Sequence, residues 1–330
     1  MLNRKLLLIC LMVLIGVAVG ACSKNEDNTN VSDYAGHKPS RQELIKDMVL
    51  VPAGEFIMGS NNVDKAGMKE QYGFVKPPFL DEHPEHKVTL GAYYLDKYEV
   101  SNAQYKRFLR ATKRPEPFEW TQNGYNVYDE KLRAMNVEML RHVAVDYFKL
   151  DMDTTKMNKE ELLKALAEKQ KFRDTLPAGG VSWYDAYSYC AWTGKRLPSE
   201  SEWEKAARGP SGLEFPWGDK WDPNIANTGD NSEWDEGIAP IGSYEKSKSP
   251  YGAYDMAGNV WEWVDDWYKP YPGSDFKSAE FGEKNKVIRG GGGGIGHYSI
   301  SVFYRGASRQ YADPNMTSED VGFRCALSAN

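Results

Sequence analysis

Five consecutive glycines, Gly290 to Gly294, stand in the segment VIRGGGGGIGHYSISVFYRGASRQYADPNMTSEDVGFRC, which runs from Val287 to Cys325. No Gly-Lys-Ser/Thr follows them, so the run is not a phosphate-cradling loop. With no Cβ, these residues let the backbone approach another strand or a ligand closely.

At the other end, Arg4 and Lys5 precede the apolar run LLLICLMVLIGVAV, which closes on Val19-Gly20-Ala21-Cys22. Small residues before a cysteine match a lipoprotein signal over residues 1–21, with Cys22 acylated as the mature N-terminus. A plain membrane-anchor helix is the competing reading, since the run is nearly long enough, but polar and charged residues follow at once. Ser23 after the cysteine resembles lipoproteins sent to an outer membrane, and Lys24 to Asp27 resembles the tether of surface-exposed ones. The expected location is therefore the cell envelope, with the membrane as a partner through the lipid. Residues 22–46 read as a polar tether. Loss of Arg4 and Lys5 with the leader takes the formal charge from −6 to −8, which argues against a nucleic-acid partner.

Cys10 lies in the leader and Cys22 takes the lipid, leaving Cys190 and Cys325. In an exported chain such a pair is most simply a disulfide; two buried free thiols are the other reading. Ten Trp and twenty Tyr suit a loop-rich globule pinned by aromatic packing, and equally a binding surface.

DMVLVPAGEFIMG reads as two short strands about a Pro-Ala-Gly turn. HKVTLGAYYLDKYEVSNAQYKRFLRAT reads as a strand and then a helix capped by Ser101, with Tyr105, Phe108 and Leu109 at helical spacing. Trp183, Ala186, Tyr187 and Cys190 share that spacing and are expected to face the core. Ser199 or Ser201 caps a further helix whose first-turn acids favour its dipole. Residues 113–178 carry helix formers in helical period, expected as two or three helices. They form either a solvated elaboration or a docking surface for a protein partner.

LPSESEWE, GNVWEW and GFRC, in this order, resemble the formylglycine-generating enzyme (sulfatase-modifying factor) family. The resemblance spans roughly residues 47–112 and 179–328. It implies one α+β domain over 47–328, irregular, related to C-type lectin domains and interrupted by the 113–178 insertion. It also implies that Cys190 and Cys325 form the disulfide of exported members. Anchored on Tyr304-Arg305, the family's copper-binding cysteine pair falls on Gly296 and Ser301, so no copper is expected. Two calcium sites are implied, since calcium takes six to eight oxygens. The first uses the Asp255 side chain and the carbonyls of Met256, Gly258 and Val260. The second uses Asn227, the Thr228 carbonyl and acids such as Glu233 and Asp235. The alternative is a plain turn capped by its own Asp and Asn. Trp261 matches a groove residue, and Gly296, His297, Tyr298, Ser301 and Tyr304 complete the candidate groove. Ser301 lacks the GxSxG setting of a serine nucleophile.

The resulting expectation is a non-catalytic, lipid-anchored envelope protein that scaffolds or binds a partner, similar to lipoproteins of gliding motility and type IX secretion. A lectin-like display domain is the alternative, because Tyr298, Ser299, Ser301, Tyr304, Ser308 and Tyr311 fill the window that display systems vary, and Tyr and Ser suit adaptable binding. A divergent formylglycine-generating oxidase is a further alternative, and it would have to work without both cysteines.

Overall fold

The structure is a computed structural model that describes residues 39–74, 77–229, 234, 237–292 and 301–329. Cys22 and the leader lie outside the described residues. Helix α1 (Arg41–Ile45) is followed by β1 (Met48–Val51), β2 (Gly54–Met58), α2 (Met68–Tyr72), β3 (His86–Leu90), β4 (Tyr93–Asp96) and α3 (Asn102–Thr112). Next come α4 (Phe118–Asn123), α5 (Asp129–Ala134), α6 (Val137–His142), α7 (Lys159–Asp174), α8 (Trp183–Trp192) and α9 (Glu200–Arg208). The chain closes with β5 (Trp261–Trp267), β6 (Lys286–Arg289), β7 (Gln310–Ala312), β8 (Val321–Phe323) and β9 (Ala326–Ser328). Among the described residues three small sheets form, ordered β1-β4-β9, β2-β3 and β7-β6-β5-β8, and β5 runs parallel to β8. Helices and short sheets joined by long irregular segments make this an α+β fold, as expected.

Local chemistry accounts for the helix starts. Ser101 Oγ accepts from the Gln104 amide while Gln104 Oε1 accepts from the Ser101 amide, a reciprocal cap that satisfies two otherwise orphaned donors. Ser199 does the same with Glu202 at α9, and Ser182 with Asp185 at α8. Tyr105, Phe108 and Leu109 are buried as the spacing predicts.

Four expectations are corrected. The strands around Pro52-Ala53 do not pair with each other: β1 pairs with β4 and β2 with β3, because the proline corner sends them into separate sheets. Residues 40–46, read as the end of the tether, contain α1, capped by Ser40 and Glu43. Arg41 Nη2 donates to the carbonyl of Ser328 at 3.0 Å, which ties this helix to β9. The 113–178 segment breaks into more pieces than expected, with a π turn at Val143–Tyr147 and a 3-10 turn at Thr154–Lys156 between its four α-helices. Gly124 and Asn126 take positive φ values, and Asn136 and Asn158 each cap a new start. Finally, Tyr187 is 46% exposed, and Tyr189 takes the core position instead. At about 100° per residue, position 187 falls past the edge of the stripe made by 183, 186, 189 and 190.

The main core gathers Trp261, Trp263, Phe323, Tyr105, Tyr189 and the Cys190–Cys325 pair. The 113–178 segment owns a separate cluster of Leu132, Leu140, Phe148, Leu162 and Leu166. Asn102 Nδ2 donates to the Arg173 carbonyl at 2.9 Å, and Lys106 pairs with Asp174, joining that cluster's last helix to α3.

Candidate binding cleft and cation loop

Loop Asp255–Val260 enters β5. Asp255 (φ 56°), Gly258 (φ 90°) and Asn259 (φ 66°) all lie in the left-handed region, which Asp and Asn tolerate better than most side chains. A Cβ on Gly258 would stand 2.3 Å from the Asn227 carbonyl oxygen. Gly258→Ala is therefore expected to destabilise the fold by at least about 1–3 kcal/mol, read as a lower urea midpoint; an unchanged midpoint would show that the loop can relax.

Asn227 and this loop, expected to hold separate ions, are packed together. The Asn259 amide donates to the Asn227 carbonyl at 2.8 Å, and Asn227 Nδ2 donates to Asn259 Oδ1 at 3.1 Å. Asp255 accepts from the Gly242 amide at 2.8 Å and from Ser247 Oγ at 3.2 Å. The carbonyls of Met256 and Gly258 accept no backbone hydrogen bond among the described residues. Nearby, the buried Glu99 Oε2 has no hydrogen-bond partner among the described residues. Burial pushes the Asp255 carboxyl up to about 6, and burial together with Asp255 pushes Glu99 well above its ordinary range. Arg324, bidentate to Glu262 at 2.7 and 2.6 Å, is the cation opposing these acids. Glu233 and Asp235, assigned to the second ion, lie outside the described residues. Among the described residues no three His, Cys, Asp or Glu side chains converge for a metal, so an ion here would rely on carbonyl oxygens.

Beside β5 the candidate groove resolves into two cavities. One, of about 360 Å³, is walled by Phe74, Phe79, Trp261, Ile288 and Phe303, with Glu82, Ser308, Gln310 and Tyr311 also lining it. The other, of about 450 Å³, takes in Ser301, Arg305, Trp221, Asn61 and Asp219. Phe79 and Val302 line both. Trp261 and Ser301 thus face neighbouring cavities and not one slot. Tyr304 lines neither: it is fully buried, its hydroxyl lies 3.0 Å from the Thr228 carbonyl and 3.1 Å from that of Gly292, and its ring stacks on Trp221. The glycine run is what permits this clasp, since a Cβ on Gly291 would lie 2.8 Å from the Tyr304 ring and one on Gly292 2.8 Å from Trp261. Gly296, His297 and Tyr298 lie outside the described residues.

Sequence reasoning missed Phe79. Its φ of 73° is strained for a bulky side chain. The strain is held by Arg305, which sits 4.8 Å from the ring centre and donates to both Glu82 oxygens at 2.8 Å. The available signal was Pro77-Pro78 just before it.

Both cysteines of the described residues are used: Cys190 and Cys325 form a disulfide, with Cα atoms 5.6 Å apart.

Residues 34–329 match the sulfatase-modifying factor enzyme 1-like domain. The formylglycine-generating enzyme of Mus musculus is 31% identical over 303 residues, covering 84% of this chain and 74% of that one. The inactive C-alpha-formylglycine-generating enzyme 2 of the same organism is 31% identical over 305 residues, covering 86% of each. Among solved structures, PvdO from Pseudomonas aeruginosa superposes with a TM-score of 0.53 at 24% identity, over 85% of this chain and 94% of that one, a likeness of fold. With a domain match that runs from residue 34 to residue 329, this chain belongs to the sulfatase-modifying factor enzyme 1-like family.

Proposed function

We propose that the chain is a non-catalytic member of its family, a lipid-anchored envelope protein that binds a partner through the aromatic cleft. The observation that carries this is the Cys190–Cys325 bridge. With both cysteines bonded and Gly296 and Ser301 at the positions of the copper pair, the folded domain offers no thiolate, the soft ligand that Cu(I) selects. A serine hydroxyl at position 301 does not replace it. The cleft walls of Phe74, Phe79, Trp261 and Phe303 supply apolar area of the kind that anchors a partner's side chain. The test incubates the purified protein with Cu(I), dioxygen and a cysteine-containing peptide, and reads aldehyde by mass spectrometry. No aldehyde is expected; its appearance would return the oxidase reading.

Membrane attachment is assigned to acylated Cys22 in the cell envelope, at an outer membrane. Cys22→Ser is expected to move the protein to the soluble fraction, and continued sedimentation with membranes would reject the anchor. Light cross-linking followed by gentle detergent purification should recover a stoichiometric envelope partner. A display role is the second reading, favoured by Ser308 and Tyr311 on one cavity and Ser301 on the other.

The Asp255 loop fits a structural calcium ion: its excess of buried acid and the orphaned Glu99 oxygen both favour a cation. Asp255, the Met256, Gly258 and Val260 carbonyls, and Asn227 with the Thr228 carbonyl would hold such ions, which supply charge compensation only. A carboxyl with a raised folded pKa stabilises the fold below its unfolded pKa, and that contribution is lost as pH rises through about 6. Bound calcium needs the ionised form. Calcium is therefore expected to raise Tm more at pH 7 than at pH 5; equal shifts, or none with chelator, would remove the site.

A further inference from the structure

We infer that the 450 Å³ cavity between Trp221 and the Asn61-Asn62 segment is a binding site for a neutral carbohydrate unit, an assignment that goes beyond the partner-binding cleft and stands without it. Its volume lies within the range of small-molecule sites. The lining combines one aromatic wall with planar polar groups. Trp221 stacks on Tyr304 at 5.3 Å and packs at a tilt on Phe215 at 5.2 Å, and Phe215 stacks on Trp217 at 5.4 Å, so Trp221 is held in place by a group of rings. A pyranose has an apolar face of C–H groups that packs on such a ring, and a rim of hydroxyls that needs donors and acceptors.

Those polar groups, though exposed, are each tethered by one hydrogen bond. Asn61 Oδ1 accepts from the Glu85 amide at 3.0 Å, Asn62 Nδ2 donates to Glu214 Oε1 at 3.2 Å, and Asp219 Oδ1 accepts from the Glu214 amide at 3.1 Å. Among the described residues, Asn61 Nδ2, Asn62 Oδ1 and the second Asp219 oxygen accept or donate no other hydrogen bond and are left for hydroxyls. Preorganisation of this kind lowers the entropy lost on binding.

Charge selects among ligands of this size. Lys65 and Arg305 are balanced by Glu214 and Asp219 in the same lining, and Arg305 is already committed to Glu82 and Glu214. A phosphate or nucleotide would meet two carboxylates and no surplus of positive charge. A fully apolar ligand would strand the amides and carboxylates. An uncharged polyol with one apolar face satisfies both.

The test uses the full purified chain with glucose, galactose, mannose and N-acetylglucosamine, and their β-linked disaccharides, with N-acetylneuraminate as the anionic comparison. Saturation-transfer NMR and tryptophan fluorescence read binding. At least one neutral sugar is expected to bind with Kd on the order of millimolar or tighter, and Trp221→Ala to weaken it tenfold or more. Because Trp221→Ala also removes the Tyr304 stack, Asn61→Ala and Asp219→Ala serve as milder variants; with Tm unchanged, each is expected to weaken the same sugar several-fold. The inference is overturned if no neutral sugar gives saturation transfer at tens of millimolar, if N-acetylneuraminate binds more tightly than every neutral sugar, or if binding survives all three substitutions. None of these outcomes bears on the copper or cross-linking tests.

Discussion

Replacing Arg289 with alanine is expected to lower the unfolding free energy by about 3–5 kcal/mol, the usual cost of stripping one partner from a buried ion network. Arg289 is fully buried and donates to Glu200 at 2.9 Å, to Glu204 at 2.6 Å and to the Gly306 carbonyl at 2.7 Å, with its guanidinium 5.3 Å from the Trp203 ring centre. Burial alone would raise the Glu204 carboxyl, yet Arg289 and Arg208 hold it below its ordinary value. Without Arg289, both acids keep one arginine each, Arg208 for Glu204 and Arg309 for Glu200, and part of their charge is left uncompensated in a dry interior. Arg289→Met fills much of the volume and is expected to be nearly as costly, because the lost term is electrostatic. Arg289→Lys keeps the charge but loses the fork that reaches two carboxylates, and should fall between. Urea unfolding followed by tryptophan fluorescence measures all three. If methionine restores wild-type stability, packing rather than charge holds this site.

Removing the Cys190–Cys325 bridge is the second large effect. The two residues are 135 apart in sequence, and closing a loop of that size stabilises by about 4–5 kcal/mol in the chain-entropy account. The bridge joins α8 to the link between β8 and β9, which belong to different sheets, so its loss removes a covalent tie between that helix and the C-terminal strands. The double variant Cys190→Ala, Cys325→Ala is expected to lose that amount of unfolding free energy, read as a lower urea midpoint, with a steeper slope because the unfolded chain is no longer cross-linked. An unchanged slope would show that the unfolded chain is as compact without the cross-link as with it. Maleimide labelling of the unfolded, unreduced protein should find neither thiol.

Much of the fold was legible because its signals are local. Ser101 and Ser199 cap helices through contacts made within three residues, and the stripe Tyr105, Phe108, Leu109 needs only the helical period. Tyr187 failed for a related reason. A four-residue step from Trp183 leaves it on the border of the buried stripe, and only the neighbouring sheet decides which border residue is covered. The 113–178 segment showed its period but not its breaks, since Asn tolerates the left-handed region without requiring it, and Asn126 takes it while Asn136 and Asn158 cap helices in extended backbone. At the candidate site, the tight Asp255–Val260 loop could be read from its Asp-Met-Ala-Gly-Asn-Val order. The division into two cavities could not, because Phe79, Phe303 and Trp221 reach it from distant parts of the chain.

By itself the sequence determined the family, through LPSESEWE, GNVWEW and GFRC, together with the helix caps, the α+β class and the one pair of cysteines left for the fold. The tertiary structure alone decided what those words are for. Arg324 of GFRC closes on Glu262 of GNVWEW, while Arg289 of the glycine segment closes on Glu200 and Glu204 of LPSESEWE. The charges in these phrases read as solvated or as helix-dipole partners when taken one at a time. An arginine and a glutamate become a buried pair only when segments tens of residues apart exclude water together, and a linear pattern carries no record of that exclusion.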